Sequence, residues 1–232
     1  MTRPSPSLLL PAAALSAVLS IAADLLGFAQ LFFVLKPLTT LLLIGWAWPR
    51  GVAGGTAYRR WLRVGLVLSL AGDIALLWPQ SGFLPGLVSF LLAHVAYIVA
   101  FTRGWRLAAR PLPFVAYALL AGAILSQLWP HVPAGLQAPV LIYVVALACM
   151  AAQAATVWLA ARGGPLEPWA RRAGIGGALF MASDATLAVN KFAMALPLAS
   201  LWILSTYWLA QAFIAGSLRF PHSSPAEKVP HE

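Results

Sequence analysis

The stretch WLRVGLVLSLAGDIALLW, residues 61–78, is apolar except for Ser69 and two charged residues, Arg63 near its start and Asp73 well inside it. A run of this kind is about the length that crosses a hydrocarbon core as a helix, and the tryptophans at its two ends suit the membrane–water interface. An ionised aspartate at the centre of such a helix costs about 2.5 to 3.5 kcal/mol, so it belongs where neighbouring helices offer a polar interior. Seven further apolar stretches supply those neighbours: residues 8–28, 32–48, 84–101, 112–129, 138–161, 173–189 and 196–218. Asp24 and Asp184 repeat the anomaly of Asp73 in two of them.

Composition agrees with a membrane bundle. With 61% hydrophobic residues, 9% charged residues and a mean hydropathy of +0.84, the 232-residue sequence has too little polar surface to coat a water-soluble domain. The expected fold is all-α, a polytopic bundle of eight transmembrane helices over residues 1–220, followed by a disordered tail, residues 221–232.

Basic residues should gather on the cytoplasmic side. Of the fifteen lysines and arginines, all but Lys36 and Lys191 fall at the N-terminus, in alternate loops, or in the tail. Both termini are therefore expected to be cytoplasmic, in a multi-pass protein of a bacterial cell (inner) membrane. The net charge of +9 then reflects topology and attraction to anionic lipid, with no nucleic-acid partner required. Trp46, Trp48, Trp105, Trp129 and Trp158 also sit at expected helix ends. The first stretch, with Arg3 before it and small residues before Asp24, has features of a secretory signal, but its apolar run is long for one and we expect it to be retained. Cys149 is the only cysteine, so no intrachain disulfide or thiolate cluster forms. Proline- and glycine-rich patches at 49–55 and 163–168 read as turns.

Depth brings the scattered polar residues together. At 1.5 Å of rise per residue, Asp73 lies ~18 Å and Asp184 ~16 Å from the cytoplasmic ends of their helices, and His94 ~15 Å from the outer end of its own. In a core ~30 Å thick these fall between the midplane and the outer leaflet, with Lys36 and Lys191 nearer the outer interface. Spacings of three, four, seven or eight share a helix face. They define stripes of Phe90, His94 and Tyr97; Asp184 and Lys191; Ser200, Tyr207 and Gln211; Tyr143, Met150 and Gln153; and Ser16, Ser20 and Asp24. Converging stripes would enclose a polar pocket.

Several motifs, in order along the whole chain, resemble the YhhN family, which includes the lysoplasmalogenases. They are Lys36-Pro37-Leu38-Thr39-Thr40, Gly72-Asp73, the segment from Ser89 to Tyr97 with His94 inside it, Ser183-Asp184 with Asn190-Lys191-Phe192 after it, and Tyr207 with Gln211. The resemblance implies hydrolysis of the vinyl ether of a lysophospholipid, releasing a fatty aldehyde and glycerophosphoethanolamine or glycerophosphocholine. A vinyl ether resists base and yields to acid, so such an enzyme needs one carboxylic acid still protonated near neutral pH and one carboxylate to steady an oxocarbenium ion and activate water. Poor solvation and a second carboxylate nearby both disfavour ionisation, the logic by which glycosidases divide acid from base. Asp73 and Asp184 are the expected catalytic pair, in either order. Lys36 and Lys191 would hold the phosphate, and His94, Tyr97, Tyr143, Asn190 and Tyr207 would complete the substrate site. No cofactor is expected, and no metal, because only His94 of the four histidines lies in a helix, whereas a catalytic zinc usually takes three such ligands.

Buried Asp, Lys and Tyr also build transporters and lipid-binding proteins. Against that reading, no glycine or proline breaks recur at matching positions in two halves. A hydrolase of another lipid ether or ester stays open as well. Residues 71–76 (AGDIAL) echo residues 182–187 (ASDATL), so a four-plus-four parallel repeat would set the two aspartates opposite each other.

Overall fold

In lipid no water reaches unpaired backbone groups, so each span must satisfy its own hydrogen bonds and the apolar stretches can only become helices. The computed structural model describes residues 6–48, 56–78 and 80–219. Among them it has eight α-helices and no strand: α1 (Pro6–Leu25), α2 (Ala29–Ala47), α3 (Thr56–Ala75), α4 (Phe83–Phe101), α5 (Pro111–Leu128), α6 (Ala134–Ala161), α7 (Glu167–Ala188) and α8 (Ala199–Gly216). A π-helical turn, Val189–Ala193, follows α7. The turn at 49–55 and the tail at 221–232 lie outside the described residues.

Five helices, α1, α2, α4, α5 and α6, are long and apolar enough to cross a membrane. The other three carry most of the polar load: Arg59, Arg60, Arg63 and Asp73 on α3; Arg171, Arg172 and Asp184 on α7; Tyr207 and Gln211 on α8. Large apolar side chains face outwards, with Leu112 72% and Leu119 70% exposed. Hydrocarbon tolerates such a surface and water does not, and the chain is a multi-pass membrane bundle.

Helix ends differ from the hydropathy reading where backbone and side chain obey different rules. Helices α3 and α7 begin at Thr56 and Glu167, ahead of the expected 61 and 173, because a helix continues through the interface while its side chains turn polar. At the other end, α8 starts only at Ala199, after the π-helical turn and after Leu198 in the left-handed region at φ 54°.

Neighbouring helices pair as α1 with α2, α3 with α4, α5 with α6 and α7 with α8; α2 also meets α3 and α8, and α6 meets α7 and α4. Exchanging α1–α4 for α5–α8 maps these pairs onto one another, as a four-plus-four repeat requires. The match is incomplete, since α1 also touches α8. Pro37 lies inside α2 and Pro139 inside α6, and both helices run on through them unbroken, so neither proline is a break.

Buried polar groups on α6 serve the scaffold. Gln153 Nε2 donates to the Phe101 and Arg106 carbonyls at 3.3 and 3.5 Å, its Oε1 accepts the Ala108 N–H at 3.1 Å, and Thr156 donates to the Arg110 carbonyl at 3.3 Å. These bonds pin the α4–α5 connection.

Candidate active site

Asp73 is 1% exposed, so its carboxyl group must find hydrogen bonds inside the bundle. It finds two, both on Oδ2: Thr40 of α2 donates at 2.6 Å and Tyr207 of α8 at 2.7 Å. Each donor is itself held from behind. Trp208 Nε1 donates to Thr40 Oγ1 at 3.1 Å, and Gln211 Nε2 donates to the Tyr207 hydroxyl at 3.2 Å. Tyr97 of α4 in turn donates to Gln211 Oε1 at 2.9 Å, and Ser69 lies 3.3 Å from the Tyr97 hydroxyl.

Asp184, half-buried on α7, has a parallel arrangement. Tyr143 of α6 donates to its Oδ2, and His94 Nε2 of α4 lies 3.0 Å from the Tyr143 hydroxyl and 3.6 Å from the carboxylate oxygen. Tyr143 has one hydrogen and gives it to Asp184, so His94 donates to Tyr143 through Nε2–H. Its buried Nδ1 has no hydrogen-bond partner among the described residues. Phe180, fully buried, separates the two networks, its ring 4.7 Å from that of His94 and 5.6 Å from that of Tyr207. Each aspartate thus meets side chains from the helices that correspond in the two halves, Thr40 of α2 and Tyr207 of α8 at Asp73, Tyr143 of α6 and His94 of α4 at Asp184.

Both carboxylates line one cavity, of about 130 Å³. Its polar wall is Lys36, Asp73, Tyr143, Ser183, Asp184, Lys191 and Tyr207. The rest is apolar, including an arm between α5 and α6 lined by Ile124, Leu125, Leu128, Val140, Val144 and Leu147. Lys36 is 7% exposed, with Nζ 5.8 Å from the Phe32 ring centroid. Lys191 is exposed, held above the Phe83 ring at 4.9 Å, and Phe83 meets Phe192 edge-on at 5.8 Å.

The residues expected from sequence therefore divide. Asp73, Asp184, Lys36, Lys191, Tyr143 and Tyr207 share the cavity wall. His94 and Tyr97 stand behind it: His94 hydrogen-bonds the wall residue Tyr143, and Tyr97 reaches the wall residue Tyr207 through Gln211. Asn190 is corrected: its Oδ1 accepts the Leu196 N–H at 2.9 Å and braces the loop after the π-helical turn, away from the cavity wall. Of the other stripes, Gln153 pins a connection, Ser200 donates to Asp24 and so ties α8 to α1, and Ser16 bonds Thr39 at 2.8 Å. Thr40, Trp208 and Gln211 are the additions. Thr40 follows Lys36 by one turn and Gln211 follows Tyr207 by one turn, a signal the sequence held; the indole of Trp208 looked like one more interfacial ring.

The YhhN family profile matches residues 31–218. A human protein, lysoplasmalogenase TMEM86B, is 35% identical over 190 residues, covering 81% of this chain and 76% of that protein. Bovine lysoplasmalogenase TMEM86A is 34% identical over 161 residues, 66% of this chain and 62% of the relative. A lysoplasmalogenase of Mycobacterium tuberculosis is 31% identical over 179 residues, 72% of this chain and 63% of the relative. No solved structure matches. Most of the chain, including every residue on the polar wall of the cavity, lies inside the matched region, and the chain belongs to the YhhN family.

Proposed function

We propose that this protein is a membrane hydrolase that cleaves the vinyl-ether bond of lysoplasmalogens, giving a fatty aldehyde and glycerophosphoethanolamine or glycerophosphocholine. The observation that carries the reading is the pairing of two hydrogen-bonded aspartates with two lysines on the wall of a single, otherwise apolar cavity. A lysolipid has the same sequence of chemistry: an anionic phosphate, an ether a few bonds deeper, then a hydrocarbon chain. The lysines suit the phosphate, the aspartates the ether, and the arm between α5 and α6 the chain.

One aspartic acid protonates the β-carbon of the vinyl ether, and the other, as carboxylate, faces the resulting oxocarbenium ion and takes a proton from the attacking water. The hemiacetal then collapses to aldehyde and alcohol. Residues 1–220 form the transmembrane domain, with both termini on the cytoplasmic side of a bacterial inner membrane.

Purified protein in detergent is expected to release aldehyde from a vinyl-ether lysolipid and none from the saturated-ether or acyl counterpart. Equal release from the acyl lipid would point to an esterase. Lys36→Gln is expected to raise KM for the lysolipid about tenfold or more, the scale of one charge-assisted hydrogen bond, with a smaller change in kcat; an unchanged KM would move the phosphate elsewhere. The buried Asp, Lys and Tyr side chains of the cavity leave a carrier as the second reading. A proteoliposome assay separates the two, because a carrier delivers its lipid unaltered.

A further inference from the structure

We propose that the gap between α4 and α5 is a lateral portal to the bilayer, through which the hydrocarbon chain of the lysolipid leaves the cavity. The identity of the lipid rests on the hydrolase reading above; the route rests on where the cavity ends and which helices pack.

Lys191 marks the exposed end of the cavity. Phe90, Ala121, Leu147 and Met181 are the wall residues farthest from it along α4, α5, α6 and α7. All four are buried in the packed core, so together they form a closed floor. The aspartates stand close to that floor: Asp184 is less than one turn above Met181, ~5 Å along α7, and Asp73 is the deepest of the α3 residues on the wall. The chain of a membrane lipid reaches across about half of a ~30 Å hydrocarbon core, ~15 Å. A vinyl ether held at the aspartates therefore has no room for its chain to run on along the helices, and the chain must turn aside.

Helix packing sets the side on which it can do so. Helix α1 packs on α2 and on α8, and the counterparts of these pairs in the second half are α5 on α6 and α5 on α4. Helix α5 does pack along α6 and meets the π-helical turn, but among the described residues it has no comparable packing with α4. The cavity occupies the place of that contact, with Phe83 and Leu87 of α4 on one wall and Ile124 and Leu125 of α5 on the other. These four side chains are apolar and half-buried, in contrast to the buried floor. Next to them in sequence, Leu84, Val88 and Leu120 are exposed and apolar, so a chain passing between the two helices stays among hydrocarbon throughout. Its distal methylenes then rest in the bilayer before and after binding, and only the part inside the arm gains contacts with the protein.

Binding of saturated-ether lysolipids, which keep head group and chain but lack the vinyl ether, tests the route apart from turnover. Purified full-length protein in phospholipid nanodiscs is titrated with such a lipid bearing a bulky fluorophore at the end of its chain. The tagged lipid is expected to bind as tightly as the untagged one, and bilayer lipids brominated in their chains are expected to quench its emission. Leu87→Trp, which narrows the gap, is expected to weaken a lysolipid of about sixteen carbons about tenfold more than one of about six, the scale of two displaced methylenes. A misfolded variant would lose both alike, and if Leu87→Trp fails to fold, Ile124→Trp makes the same comparison from the other wall. Leu119→Trp, on the outward face of α5, is the control for bulk and should change neither affinity. Rejection of the tagged lipid where the untagged one binds, or equal losses for long and short chains in the wall variants, overturns the portal, and aldehyde release alongside either result leaves the hydrolase standing. The expected binding pattern with no aldehyde from any vinyl-ether lipid supports the portal and overturns the hydrolase reading instead. Failure of every lysolipid to bind overturns both.

Discussion

Asp73→Asn lowers kcat for a vinyl-ether lysolipid by about 10²- to 10⁴-fold, the range expected when a positioned acid or base is removed, and leaves KM close to its starting value. Asparagine keeps the shape of aspartate, and its amide oxygen can still accept from Thr40 and Tyr207, so the bundle holds while proton transfer is lost. Asp184→Asn behaves alike, because each carboxyl takes a step the other cannot. Aldehyde release at saturating lipid, with size-exclusion chromatography to show that the variants remain folded, checks both. A loss under tenfold in folded Asp73→Asn would remove Asp73 from the reaction.

Gly65→Val is expected to have a large effect on folding. A Cβ at Gly65 would lie 2.2 Å from a ring carbon of Tyr97, and that ring is fully buried and hydrogen-bonded at its far end to Gln211. Neither neighbour can swing aside, so α3 and α4 must part. Overpacking of this kind costs about 1 to 3 kcal/mol or more, read as a fall in the thermal midpoint in detergent. Activity falls with it, since displacing Tyr97 frees Gln211 to turn away from Tyr207. Gly122→Val on α5, where a Cβ would meet nothing within 4 Å, is the matched control and should leave both readouts near wild type. A Gly65→Val protein as stable as the control would mean that α3 and α4 do not pack this closely.

Much of the site was legible in sequence because membrane burial makes polar residues conspicuous. Asp73, Asp184, Lys36 and Lys191 stand out against their apolar runs, and rise per residue set them at similar depth. Helical spacing also linked Phe90, His94 and Tyr97 correctly to one inward face. The same spacing put Gln153 in one stripe with Tyr143, yet Tyr143 lines the cavity and Gln153 pins the α4–α5 connection, because periodicity fixes a face and says nothing of what lies across from it. Asn190, picked out only by its place beside Lys191 in a family motif, stands off the cavity wall, and its side chain braces the loop after the π-helical turn.

By itself the sequence determined an all-α membrane bundle, the helices that compose it, and which residues would need polar company, since these follow from transfer of side chains and backbone into hydrocarbon and from the fixed geometry of a helix. The tertiary structure alone decided which company each one keeps. Asp73 meets Tyr207 from 134 residues away and Thr40 from 33, and Asp184 meets Tyr143 from 41. Hydropathy and spacing are local properties of one helix, whereas these bonds, and the direction in which each proton points along them, exist only once close packing has chosen which helix faces stand together.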